Sequence, residues 1–164
     1  MDVPTDELNS AQIEAACGEL CIGCPTGDCQ ELLREAGLRP TLQRMMLGQL
    51  LFGGKHRHFT AESLYAEVAA AGMRLSLATV YNTLNHFTDA GLLRRIGPDG
   101  SRCFFDTDTS VHPHFYFEGE DRLIDVPEQL AVARMPDTLP GHELSRLDIV
   151  IRIRRKDAGL RRAG

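Results

Sequence analysis

The chain has 164 residues, 43% hydrophobic and 25% charged, with no tryptophan and a net charge of −5. That length holds one substantial domain and a smaller one, excludes a large barrel enzyme, and offers no apolar run near the roughly 20 residues of a membrane span. The acidic start, Met1 to Glu7, lacks the basic region of a signal peptide, so a cytoplasmic protein with no membrane partner is expected. Charge is unevenly spread. Residues 1–30 carry six carboxylates and no Lys or Arg, residues 31–100 eight basic against six acidic groups, and residues 101–164 ten against eleven. The acidity belongs to the N-terminal part, and the stretch after it is mildly basic, which permits nucleic-acid binding.

Residues 1–29 read as an acidic, Cys-containing arm with one short helix, Glu7 to Ala16. Cys17, Cys21, Cys24 and Cys29 lie within thirteen residues, and in a reducing compartment such thiols suggest metal or redox chemistry before disulfides. The C-x3-C-x2-C spacing also occurs in radical enzymes that use S-adenosylmethionine, but the chain cannot hold their barrel. Free thiols are the expectation for Cys17, Cys21 and Cys29. Cys24-Pro25 differs in kind: it can present a thiolate to ferric haem, with the proline turning the chain away from the porphyrin face, or simply form a turn before the next helix.

Gln30 to Ala36 is a short helix stopped at Gly37, and Pro40 to Leu51 is the next, with proline in its tolerated early position. Ala61 to Ala71 ends at Gly72, three residues before Ser76. Ser76 is a good N-cap and Gly91 a natural stop. Between them Leu77, Val80, Leu84 and Phe87 form an inward stripe, leaving Ala78, Thr79, Tyr81, Asn82, Asn85 and His86 on the opposite face. Short and polar side chains of this kind meet phosphates and base edges at little desolvation cost. Leu92 to Ile96 and Arg102 to Phe105 then flank the turn Gly97-Pro-Asp-Gly100 as a hairpin.

Helix, turn, helix, hairpin is the order of a winged helix-turn-helix. Ser76, Ala78, Thr79, Tyr81, Asn82 and Asn85 are the candidate DNA contacts, with Arg44 and Arg102 beside them. Arg39, Lys55, Arg57, Arg94 and Arg95 are further cations within phosphate reach.

The expected class is α+β. The winged-helix domain covers residues 30–106, a polar hinge 107–113, a small α/β dimerisation domain 114–156 and a basic tail 157–164. The last domain should hold a hairpin of Phe115 to Phe117 and Arg122 to Val126, a helix from Glu128 to Arg134 and a strand from Glu143 to Arg154. Three strands and a helix are too little to stand alone, so an isologous homodimer on double-stranded operator DNA is expected.

His112-x-His114 marks the junction, with His58, Asp106 and Asp125 as further candidate ligands. Imidazoles with carboxylates and no thiolate suit iron, manganese or zinc in a regulatory site better than a closed structural zinc. Metal held from both sides of a hinge couples binding to domain angle, a regulatory mechanism. No nucleophile–base set is present, so an enzyme is not expected.

The assembled residues resemble the Fur superfamily of metal-responsive repressors, and within it most closely the iron response regulator (Irr) branch. The resemblance spans residues 23–156. It is carried by Gly23-Cys-Pro25, Gly37-Leu-Arg-Pro-Thr-x-x-Arg44, Leu50-Leu-Phe-Gly53, Thr60-Ala-Glu-x-Leu-Tyr65, Ser76 to Leu93 and Phe105-Asp-Thr107. It implies that Tyr81 and its neighbours contact a palindromic operator and that His58, Asp106, His112, His114 and Asp125 align with the regulatory metal site. It further implies iron sensing through ferric haem at Cys24-Pro25. Where that branch shows three consecutive histidines this chain has His112-Pro113-His114. The paired CxxC motifs of structural zinc are missing, Glu118-Gly-Glu-Asp121 standing in the first one's place, so no structural zinc is expected. A peroxide, manganese or zinc sensor of the same superfamily is the alternative reading. A haem- or metal-binding redox protein using Cys21-Ile-Gly-Cys24 is the reading from another class, and it lacks the strand that should precede such a dithiol.

Overall fold

Hydroxyl side chains start three of the four helices in the computed structural model, which describes residues 26–97, 102–127, 130 and 132–156. Those residues form two compact units, the first ending at Thr109 and the second beginning at Ser110. The arm helix expected at Glu7–Ala16, with Cys17, Cys21, Cys24 and Pro25, lies outside the described residues.

The first unit contains α1 (Thr26–Glu35), α2 (Leu42–Phe52), α3 (Ala61–Ala70) and α4 (Leu77–Asp89), with strands β1 (His58–Thr60), β2 (Arg94–Ile96) and β3 (Phe104–Asp106). Thr41 Oγ1 accepts from the Arg44 amide at 3.4 Å and Ser76 Oγ from the Thr79 amide at 3.1 Å. Thr60 and Ser63 exchange side-chain and backbone bonds in a capping box. Helix α2 therefore begins after Thr41, and Pro40 precedes the cap instead of lying inside the helix. Three helices share one stop. Gly37, Gly72 and Gly91 take φ of +73°, +75° and +75°, and the next amide (Leu38, Met73, Leu92) reaches back to Leu33, Val68 or Phe87. That left-handed residue costs glycine nothing and closes carbonyls that would otherwise be orphaned.

The helices bury Leu33, Leu47, Leu51, Leu64, Val68, Val80, Leu84 and Phe87 in one core, closed on the sheet side by Phe59 and Phe105. The α4 stripe differs from expectation at one end. Leu77 is 36% exposed, because the first turn of α4 projects beyond the core, while Thr83 is buried. Strand β1 is an element that the sequence pattern does not predict. It pairs with β3, and the sheet order is β1-β3-β2, antiparallel throughout.

The second unit is a three-stranded sheet of order β5-β4-β6, with β4 (His114–Phe117), β5 (Arg122–Asp125) and β6 (Val150–Ile153). Strands β4 and β5 form the expected hairpin, turned at Gly119 (φ +82°) and Asp121 (φ +49°). Strand β6 runs parallel to β4 with His114 opposite Val150. Two expectations fail here. The strand over Glu143–Arg154 shrinks to its last third, because β4 is the one partner it pairs with and that strand is four residues long. The helix expected over Glu128–Arg134 is absent among the described residues of that span, Leu130 and residues 132–134, which are irregular. A helix of two turns is marginal without a packing partner, and Leu130 and Val132 are exposed. No helix among the described residues is long and apolar enough to cross a membrane.

Candidate metal centre and DNA-binding face

Each unit carries a His–Asp pair facing across neighbouring strands. In the first, His58 on β1 stands opposite Asp106 on β3, with His58 Nε2 3.2 Å from Asp106 Oδ2. Directly opposite residues share a sheet face, so the register alone brings these donors together. Asp106 is 1% exposed, and its Oδ1 accepts from the Asp108 amide at 2.8 Å. Arg94, on the other flank of Asp106, is 5% exposed. That burial removes Arg94 from the expected phosphate contacts: on a three-stranded sheet with β3 central, the position opposite Asp106 faces inward. Arg57 is also engaged, bound to Glu67 at 2.9 Å and lying over the Phe59 ring at 5.4 Å.

In the second unit His114 on β4 stands opposite Asp125 on β5, and His112 joins them from the preceding chain. His112 Nε2 lies 3.0 Å and His114 Nε2 3.7 Å from Asp125 Oδ1, and the two imidazole centroids are 4.4 Å apart. His114 is 1% exposed. Nδ1 of His112 lies 3.1 Å from the Ser110 carbonyl, and in the neutral tautomer that donates there the Nε2 lone pair faces Asp125. A lone pair and a carboxylate oxygen at 3.0 Å repel unless a proton or a cation stands between them. Two imidazoles and one carboxylate suit a borderline divalent ion, and the buried Asp106 with His58 supplies the same donor types. The donor chemistry of both half-sites therefore fits iron, manganese or zinc. Ser110, which orients His112, was not found from sequence because a serine two residues before a histidine carries no distinguishing pattern.

The exposed face of α4 presents Ala78, Asn82, Asn85 and His86, with Thr79 and Tyr81 half-buried at its margins. Ser76 and Thr79 are committed to the cap, their hydroxyls 2.8 Å apart. Arg44 reaches this face from α2: its guanidinium donates to the Arg39 carbonyl at 2.8 Å and lies 3.3 Å from His86 Nδ1. Arg102, at the start of the β3 arm of the hairpin, is exposed. Tyr81 donates its phenol hydrogen to Glu62 Oε1 at 2.5 Å. That bond, with burial second, pushes the Tyr81 phenol up to about 12, and the same bond, together with a backbone bond, holds the Glu62 carboxyl below its usual range. Glu62 escaped the sequence reading, since nineteen residues separate it from Tyr81 and no local spacing links them. Cys29 is buried against α2, its thiol 3.8 Å from the Met45 carbonyl, which makes it a core residue.

Residues 35–150 match the model of the ferric uptake regulator family. The ferric uptake regulation protein of Pseudomonas aeruginosa is 33% identical over 127 residues, covering 76% of this chain and 95% of its own. The structure of that organism's ferric uptake regulator with manganese superposes with a TM-score of 0.58 at 30% identity, over 78% of this chain and 98% of the other. The ferric uptake regulator of Vibrio cholerae gives a TM-score of 0.60 at 25% identity, over 77% and 98%. With a helix-turn-helix and hairpin, two His–Asp half-sites and these relatives, the chain belongs to the ferric uptake regulator family of metal-responsive transcriptional regulators, whose members bind operator DNA as dimers.

Proposed function

We propose that this protein is an iron-responsive regulator whose homodimer reads a palindromic operator through α4, and that one divalent ion takes ligands from both half-sites. The ion would be held by His58 and Asp106 from the first unit and His112, His114 and Asp125 from the second. The observation that carries this is the convergence of His112 Nε2 and Asp125 Oδ1 at 3.0 Å, with His112 Nδ1 held 3.1 Å from the Ser110 carbonyl. A divalent ion supplies the positive charge that lets such groups converge. Five residues separate Asp106 from His112, a tether short enough to make ligation by one unit depend on the other. The protein would thus couple metal occupancy to the presentation of Asn82, Asn85, Ala78 and Tyr81, with Ser76 and Thr79 fixing the start of α4 and Arg44 and Arg102 taking phosphates.

Manganese, present in the structure of the Pseudomonas aeruginosa relative, is the suitable probe. The test is DNA binding by the full chain, with and without manganese, on a duplex it selects from a random library. Metal should tighten binding, and His114→Ala should abolish that dependence while leaving the helical fold intact. Binding indifferent to metal, or a dependence that survives in His114→Ala, would overturn the reading. The iron-specific form of the proposal adds ferric haem at Cys24, with Pro25 directing the chain away, as the signal that weakens DNA binding. It is supported by that dipeptide and tested by a haem titration of Cys24→Ala, which should lose the thiolate-type absorbance.

A further inference from the structure

A tyrosine hydroxyl carries one proton, and that of Tyr81 is donated to Glu62. The hydroxyl then has only acceptor lone pairs to offer a ligand. Glu62 is exposed in the first turn of α3, where the helix dipole favours the ionised form. A phosphate approaching Tyr81 would meet a carboxylate and find no O–H to bind. A base edge meets the opposite situation: the exocyclic amino groups of adenine and cytosine are donors in the major groove, and the thymine methyl suits an aromatic ring. From the hairpin side the charged and titratable groups acting on Tyr81 are Arg95 and Cys103, whose Nε and Sγ are 2.9 Å apart. Arg95 is exposed and cationic, so phosphate contact in this corner has a better candidate than the phenol.

We propose that Glu62 is a specificity-determining residue, which withdraws Tyr81 from phosphate contact and makes its hydroxyl an acceptor for base amino groups. The inference rests on the reading of α4 as the DNA-recognition helix. Glu62 itself touches no base. It acts through the direction of one hydrogen bond and through its own charge.

The test compares a duplex selected by the full-length, manganese-loaded protein with a scrambled duplex of the same composition, both followed by fluorescence anisotropy across a salt series. Glu62→Ala frees the phenol proton and removes the carboxylate. Affinity for the scrambled duplex should rise about 5-fold, the effect of one charge a few ångströms from a phosphate in water. The selected-to-scrambled ratio should fall by a similar factor, with the salt slope steeper by up to about 1. Glu62→Gln keeps an acceptor for Tyr81 and loses only the charge, so its ratio should lie between those of the wild type and Glu62→Ala. Without DNA, the Tyr81 phenol should ionise at lower pH in Glu62→Ala than in the wild type, by ultraviolet titration. An unchanged titration, or a wild-type ratio in both Glu62 variants while Asn85→Ala lowers it, would overturn this proposal and leave the recognition helix standing. A wild-type ratio in Asn85→Ala and Tyr81→Phe as well would remove the recognition helix and this proposal together.

Discussion

The two units solve the burial problem differently. In the first, four helices and a small sheet enclose a continuous core in which Leu33, Leu47, Leu64, Val80, Leu84 and Phe87 have no exposed surface. In the second, Tyr116 and Leu123 are the buried hydrophobic side chains among the described residues, while Leu139 and Leu144 are 72% and 56% exposed. A three-stranded sheet with one short parallel edge gains little by itself. The first unit thus carries its own stability, whereas the second needs something added, and a second copy and a metal ion are the two additions its residues suit. On the proposed reading a regulator benefits from that inequality: the unit that carries α4 encloses its own core, and the unit that carries His112, His114 and Asp125 is only conditionally stable.

The largest expected effect comes from attacking the self-sufficient unit. Phe87→Ala empties a fully buried site where Phe87 meets Phe52 at 5.5 Å, and should cost about 3–5 kcal/mol, a large share of a small domain's stability. Helical circular dichroism should then melt at a much lower temperature, independently of protein concentration. If the melt stayed in place, or became concentration-dependent only in the variant, the contrast between the units would be wrong. The complementary prediction concerns metal. Manganese at 100 times its dissociation constant should add about 2.7 kcal/mol to the unfolding free energy of whichever element carries the ligands. His114→Ala should abolish that increment without shifting the metal-free helical melt. A metal-free melt lowered by several degrees in His114→Ala would show that the second unit supports the first even without the ion.

This contrast also decides what could be read from the sequence. Helices α3 and α4 were legible almost to the residue because their signals are local and redundant: Thr60 and Ser76 caps, Gly72 and Gly91 stops, and an apolar stripe between. Strand β1 was hidden, since three residues cannot show a period and its partner lies 48 positions away along the chain, at Asp106. The helix expected over Glu128–Arg134 shows the opposite error, a plausible local pattern whose described apolar side chains, Leu130 and Val132, are exposed. The candidate ligand residues are recognisable by type, but their arrangement as two cross-strand pairs requires the registers His58 with Asp106 and His114 with Asp125. The burial of Arg94 and the pairing of Glu62 with Tyr81 are not legible in the sequence, because burial and a hydrogen bond between helices leave no trace in spacing.

The smallest expected effect sharpens the comparison from within the first unit, where Tyr81 and Glu62 tie α4 to α3. Folding raises the Tyr81 phenol to about 12, so the native state holds that proton more tightly than the unfolded chain. The stabilisation is therefore complete below the ordinary tyrosine value of about 10 and is lost as pH climbs from there through about 12. Ionised Tyr81 would face ionised Glu62 across 2.5 Å, turning a bond into a repulsion. Measured by denaturant unfolding, the difference in stability between the wild type and Tyr81→Phe should be constant from neutral pH to about 9 and shrink above it. Both proteins should keep the same self-association over that range, because the pair lies wholly in the first unit. A difference that grew with pH would mean that folding lowers the phenol instead, and a change in self-association would mean that the second unit depends on this contact as well.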